Sequence, residues 1–87
     1  MSFDSSVRYS LDPKVALRPE PFGALAYHYG SRRLTFLRTK LLADLVGRLA
    51  EFDSVDGALD AQVPPDQHRS YRAALAQLAS SEFIHAC

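Results

Sequence analysis

The stretch Phe22-Gly23-Ala24-Leu25-Ala26-Tyr27-His28-Tyr29, then Gly30-Ser31, then Arg32-Arg33-Leu34-Thr35-Phe36-Leu37, decides how this 87-residue chain folds. Its first run alternates small or polar with large apolar residues, the period-two signature of a strand. Gly30-Ser31 suits a two-residue hairpin turn, with glycine supplying a positive φ at the first turn position. Arg32 to Leu37 is then the return strand. Across such a turn Tyr27 faces Leu34 and Leu25 faces Phe36, and these four residues form the face expected to pack on a core. His28 faces Arg33 and Ala26 faces Thr35 on the opposite side. A slip of one residue would exchange the two faces.

Working outward from the hairpin, Val15-Ala16-Leu17-Arg18 is a short extended segment that Pro19-Glu20-Pro21 is expected to end, because proline removes a ladder donor and restricts the residue before it. Residues 1–13 are polar and aperiodic and read as a flexible N-terminal arm, leaving 14–87 as a single domain. Three helices follow the hairpin. Thr39 can cap the first, which is expected to run to about Glu51, with Leu41, Leu42, Leu45, Val46 and Leu49 as its apolar stripe. Ser54 can cap a short second helix carrying Val55, Ala58 and Leu59. Pro64-Pro65-Asp66 breaks the chain and starts a third helix to about Ser80, striped by Tyr71, Ala74, Leu75 and Leu78. Phe83-Ile84 reads as an apolar tail folding back. Strands followed by helices in one short chain make an α+β domain, here a three-stranded antiparallel meander followed by three helices.

Composition narrows the function. Ten basic and ten acidic residues leave no net charge, whereas nucleic-acid binders carry a basic excess that neutralises phosphates. One cysteine, Cys87, excludes a disulfide within the chain and suits a reducing compartment, so a cytoplasmic location is expected. The first residues lack the charged and apolar regions of a secretion signal, and no apolar run approaches the roughly 20 residues that span a membrane. His28, His68, His85 and Cys87 do not show the clustered spacing of a structural zinc site, and no catalytic motif is present. The chain reads as a non-enzyme that needs no cofactor and no metal.

A three-stranded meander leaves an edge. If the strands lie in chain order, the last one, Arg33 to Leu37, presents unpaired N–H and C=O groups to an extended peptide, which can add as a further strand. Four such bonds at about 0.5–1.5 kcal/mol each fall short of the roughly 8 kcal/mol of a micromolar complex. A second surface must contribute, and the third helix is the candidate. Arg32, Arg33, Arg38 and Lys40 form a basic cluster along this edge, either a solvated face that resists aggregation or a selector of acidic residues.

The run Val15-Ala16-Leu17-Arg18-Pro19-Glu20-Pro21-Phe22-Gly23-Ala24-Leu25, continuing to Arg32-Arg33-Leu34-Thr35-Phe36-Leu37, resembles the precursor-peptide chaperones of the mycofactocin system. These are similar to the peptide chaperone of pyrroloquinoline quinone synthesis. The resemblance covers about Val7 to Ile84 and is specific in the N-terminal half. It implies a winged-helix-like fold and binding of a ribosomally made precursor peptide in the cleft between the third strand and the third helix. It also implies presentation of that peptide to a radical S-adenosylmethionine maturase, which performs the chemistry. Carried onto this chain, the cleft comprises Arg32, Arg33, Leu34, Thr35, Phe36, Leu37 and Arg38 on one side, with His68, Arg69, Arg72, Ala73 and Ala76 on the other. Two other readings compete: a winged-helix DNA-binding regulator, and a permanently bound structural subunit of an enzyme. The free edge also permits a homodimer.

Overall fold

The hairpin closes in the register read from the sequence. In this computed structural model, which describes residues 3–87, strand β3 (Gly23–His28) pairs antiparallel with β4 (Arg33–Leu37), placing Tyr27 opposite Leu34 and Leu25 opposite Phe36. On its other side β3 pairs with β2 (Val15–Glu20), so the sheet order is β2-β3-β4 and both outer strands are edges. Contrary to expectation, β2 continues through Pro19 to Glu20. An edge strand tolerates proline because the missing donor can lie on the unpaired side.

The hairpin turn differs in its chemistry. Arg32, not a glycine, adopts the left-handed conformation with φ 60°, and its N–H donates to the His28 carbonyl at 2.7 Å. The His28 ring organises the loop: Nδ1 accepts from the N–H groups of Gly30 and Ser31 at 3.0 and 3.1 Å. Gly30 is there for space, since a Cβ on it would lie 2.9 Å from the His28 ring.

The buried face of the sheet is the opposite of the one expected. Ala24, Ala26, His28 and Leu37 are buried, while Leu34 and Phe36 are 55% and 57% exposed. The cause is steric. Helix α1 (Lys40–Gly47) packs on β3, and alanines let a helix approach closely where leucine and tyrosine would hold it away. Gly23 extends the same logic to the backbone. A Cβ there would sit 2.1 Å from the Leu37 carbonyl oxygen and 2.8 Å from that of Thr39.

The helices begin where their caps predict. Thr39 Oγ1 accepts from the Leu42 N–H at 2.9 Å, and Ser54 Oγ from the Gly57 N–H at 2.9 Å at the start of α2 (Val55–Gln62); each satisfies a donor that the first turn leaves free. The first helix stops at Gly47, and a separate 3-10 turn, Leu49–Glu51, follows. Helix α3 (His68–Ser80) is entered through the 3-10 turn Pro65–Gln67. Leu45, Val46, Leu49, Val55, Ala58, Leu59, Leu75 and Leu78 meet the inner sheet face in one core.

Over residues 3–13 structure stands where a flexible arm over 1–13 was expected. Met1 and Ser2 lie outside the described residues, but Tyr9–Leu11 forms β1, which pairs antiparallel with β5 (Ile84–Ala86) in a two-stranded sheet. Tyr9 is buried against the Phe3 ring, with centroids 4.9 Å apart. The carbonyls of Ser5 and Val7 accept from Asp56 and Val55 at the start of α2. The architecture is the expected α+β one, which winged-helix describes loosely, with a clasp of the two ends of the chain added. No helix is long and apolar enough to cross a membrane among the described residues.

Candidate functional site

The tail Phe83-Ile84 could have covered the β4 edge. It does not: Ile84–Ala86 goes to β1, and Phe83 is buried in the core. Among the described residues no strand pairs with the outer side of β4. The two edges of the sheet are unequal. Pro19 interrupts the donors of β2, whereas Arg33-Leu34-Thr35-Phe36-Leu37 contains no proline and can extend a ladder along its whole length.

A groove of about 250 Å³ runs beside this edge. Thr35, Phe36, Leu37 and Arg38 form its strand side, and Ala74, Gln77 and Leu78 of α3 form the other, with Leu42 of α1 beneath. Spacings of three and four place Ala74, Gln77 and Leu78 on one side of the helix. The next residue on that stripe, Tyr71, fixes the distance between the walls. Its hydroxyl lies 2.9 Å from Thr39 Oγ1, the same atom that caps α1. One threonine thus starts α1 just after β4 and ties α3 alongside. The groove is mostly apolar, with Gln77, Thr35 and the β4 backbone as hydrogen-bonding groups and Arg38 as a cation at its mouth.

The strand residues of the expected cleft divide by side. Thr35 is half-buried and Leu37 fully buried on the inner face, while Leu34 and Phe36 stand outward. Arg32, Arg33 and Arg38 are exposed, and neither they nor Lys40 form an ion pair among the described residues.

The helix half is distributed differently from the expected cleft. Arg72 reaches Asp56 of α2, with Nη2 to Oδ1 at 2.8 Å. Ala76 lines a separate depression with Phe3, Tyr9 and Ile84, beside the clasp. His68 lies at the start of α3 with Nε2 2.7 Å from the Val63 carbonyl oxygen, and Arg69 and Ala73 are exposed. The groove residues missing from the expected set are Leu42, Ala74, Gln77 and Leu78. Three of them carry a sequence signal, because Leu42, Ala74 and Leu78 belong to the apolar stripes of their helices. Nothing local shows which end of such a stripe emerges beside β4.

A sequence profile of the peptide chaperone MftB family matches residues 8–85. The chain belongs to that family. Among its relatives, the peptide chaperone MftB of Mycolicibacterium smegmatis is 41% identical over 85 residues, covering 97% of this chain and 83% of the relative. Those of Mycobacterium ulcerans and Mycobacterium tuberculosis are each 40% identical, over 84 and 83 residues, and cover 95% and 94% of this chain and 77% and 76% of their own. No solved structure gives a significant match. The family name describes a chaperone role, which is not enzymatic. The match includes β1, most of β5 and every element of the groove.

Proposed function

We propose that this protein holds a precursor peptide as an added strand on β4, with alternate peptide side chains entering the groove against α3, and presents it to a radical S-adenosylmethionine maturase in mycofactocin biosynthesis. The observation that carries this reading is an unpaired, proline-free edge lying directly beside an apolar groove. The family's name supports a peptide as the ligand. Main-chain bonds along β4 supply about 4 kcal/mol. Burial of two leucine-sized side chains over Leu42, Ala74 and Leu78 supplies about as much again, and both surfaces are needed to offset the cost of ordering the peptide. Arg33, Arg38 and Lys40 favour acidic peptide residues and speed encounter more than they hold. The domain does no chemistry. It raises the concentration of the peptide's reacting end at the enzyme that modifies it.

Calorimetry with a synthetic precursor peptide tests the reading. Ala74→Arg, which fills the groove, is expected to weaken binding at least about tenfold, the loss of one well-packed anchor. Ala76→Arg, on the clasp side of the same helix, is expected to leave affinity within about twofold. Equal effects of the two, or no heat from the unaltered chain with peptide, overturn the groove assignment. Steep salt-dependent binding to random duplex DNA, with none to peptide, would instead return the chain to the regulators.

A further inference from the structure

The groove uses one side of β4. The other side of the same sheet is apolar and, among the described residues, uncovered. Leu34 and Phe36 are more than half exposed, and Phe22 is 43% exposed with its ring edge-on to Phe36, centroids 5.9 Å apart. Register places Leu25 and Tyr27 beside them on β3, and Tyr29, exposed at the hairpin, packs edge-on to Tyr27 at 5.0 Å. Scattered apolar residues on a surface are ordinary, but a contiguous set rimmed by charge marks an interaction site.

The rim is basic. Arg18 lies opposite Leu25 on this face, Arg38 borders the depression over Phe22 and Phe36, and Arg32 stands at the hairpin end. The neutral total charge hides a strong division. Residues 14–40 hold six bases, Lys14, Arg18, Arg32, Arg33, Arg38 and Lys40, against the single acid Glu20. Residues 41–67 hold six acids, Asp44, Glu51, Asp53, Asp56, Asp60 and Asp66, against the single base Arg48.

Charge and area choose the occupant. A second copy applying the same face would set arginine against arginine, which is repulsive across a symmetric contact. Three strands about 4.8 Å apart and six residues long at about 3.3 Å each offer roughly 300 Å², well under the roughly 800 Å² per partner of a stable interface. A partner must therefore extend beyond the sheet face. One that also grips the peptide does so, because the face and the groove meet at Phe36 and Arg38. We infer that the outer face of the β2-β3-β4 sheet is the docking surface for the maturase, through an apolar patch ringed by acidic residues on that enzyme. This inference rests on the presentation reading above. It separates the two partners by side: the peptide lies against α3, the enzyme against Leu34 and Phe22, and the β4 strand is shared.

The test measures binding of the purified maturase, without peptide, to the full chain and its variants. Tyr29→Glu and Phe22→Glu sit on the exposed patch outside β4 and the groove, and unchanged thermal unfolding checks that they fold. Each is expected to weaken maturase binding by about tenfold or more and to leave peptide affinity within about twofold. Ala74→Arg is expected to show the reverse pattern. Added salt should weaken maturase binding as the arginine rim is screened. Maturase affinity unchanged by both glutamates overturns the docking surface while leaving the groove standing. A wild-type dimer in sedimentation that Phe22→Glu dissociates also overturns it, assigning the face to a second copy. An unaltered chain that binds no maturase overturns the presentation reading and the docking surface together.

Discussion

The two faces of one small sheet obey opposite rules. On the inner face the residues are small, Ala24 and Ala26, with Leu37 and His28 at the margins, and all are buried. On the outer face the residues are large, Leu25, Tyr27, Leu34 and Phe36, and the last two are mostly exposed. Size and hydrophobicity alone would assign the large set to the core. Close packing does not reward size as such; it rewards filling the space between elements that approach closely. Here α1 lies so near β3 that alanine fills the gap, and the larger side chains are left outward, where a partner can use them.

The sharpest way to break this comparison is to enlarge the inner face. Gly23→Ala drives a methyl into the backbone of Leu37 and Thr39. It should cost about 3 kcal/mol, the upper end for an overpacked site, read as a lower urea midpoint at unchanged slope. It should also displace the end of β4 and weaken peptide binding. Ala26→Leu, at a site 1% exposed, is expected to cost about 2 kcal/mol for the same reason. Its outer-face counterpart Phe36→Ser should shift stability by no more than about 0.5 kcal/mol. If Phe36→Ser proved as damaging as Ala26→Leu, the two faces would not differ in the way described.

The smallest effect concerns the buried polar residue of the inner face, His28. His28 Nε2 lies 3.6 Å from Asp12 Oδ2, and His85 Nε2 of the clasp lies 2.6 Å from the same oxygen. The Asp12 carboxyl is held below its ordinary value, first by the Lys14 N–H that it accepts at 2.7 Å and further by the two histidines. A carboxylate with a depressed folded-state pKa contributes stability above its unfolded pKa. That contribution is lost as pH falls through the folded value. Stability is therefore expected to decline below about pH 4, and Asp12→Asn should flatten that decline in urea titrations at a series of pH values. An unchanged pH profile would remove Asp12 as the link between the clasp and the inner face.

Much of this protein follows from local pattern. Alternation and the Gly30-Ser31 position give the hairpin and its register, because strand pairing across a short loop leaves little freedom. Thr39 and Ser54 mark their helices because a side-chain oxygen there satisfies donors that nothing else reaches. The free edge of Arg33 to Leu37, and hence half of the candidate site, follows from strand order and the absence of proline. Three features needed the folded molecule. Both faces of the hairpin are apolar enough to be buried, and the approach of α1 over Gly23, Ala24 and Ala26 chose between them. The β1-β5 clasp joins Leu11 to Ile84, a separation across which no short-range pattern acts. The side of α3 that opens on β4 was set by the Tyr71–Thr39 contact, which placed Ala74, Gln77 and Leu78 in the groove and turned Arg72 toward Asp56.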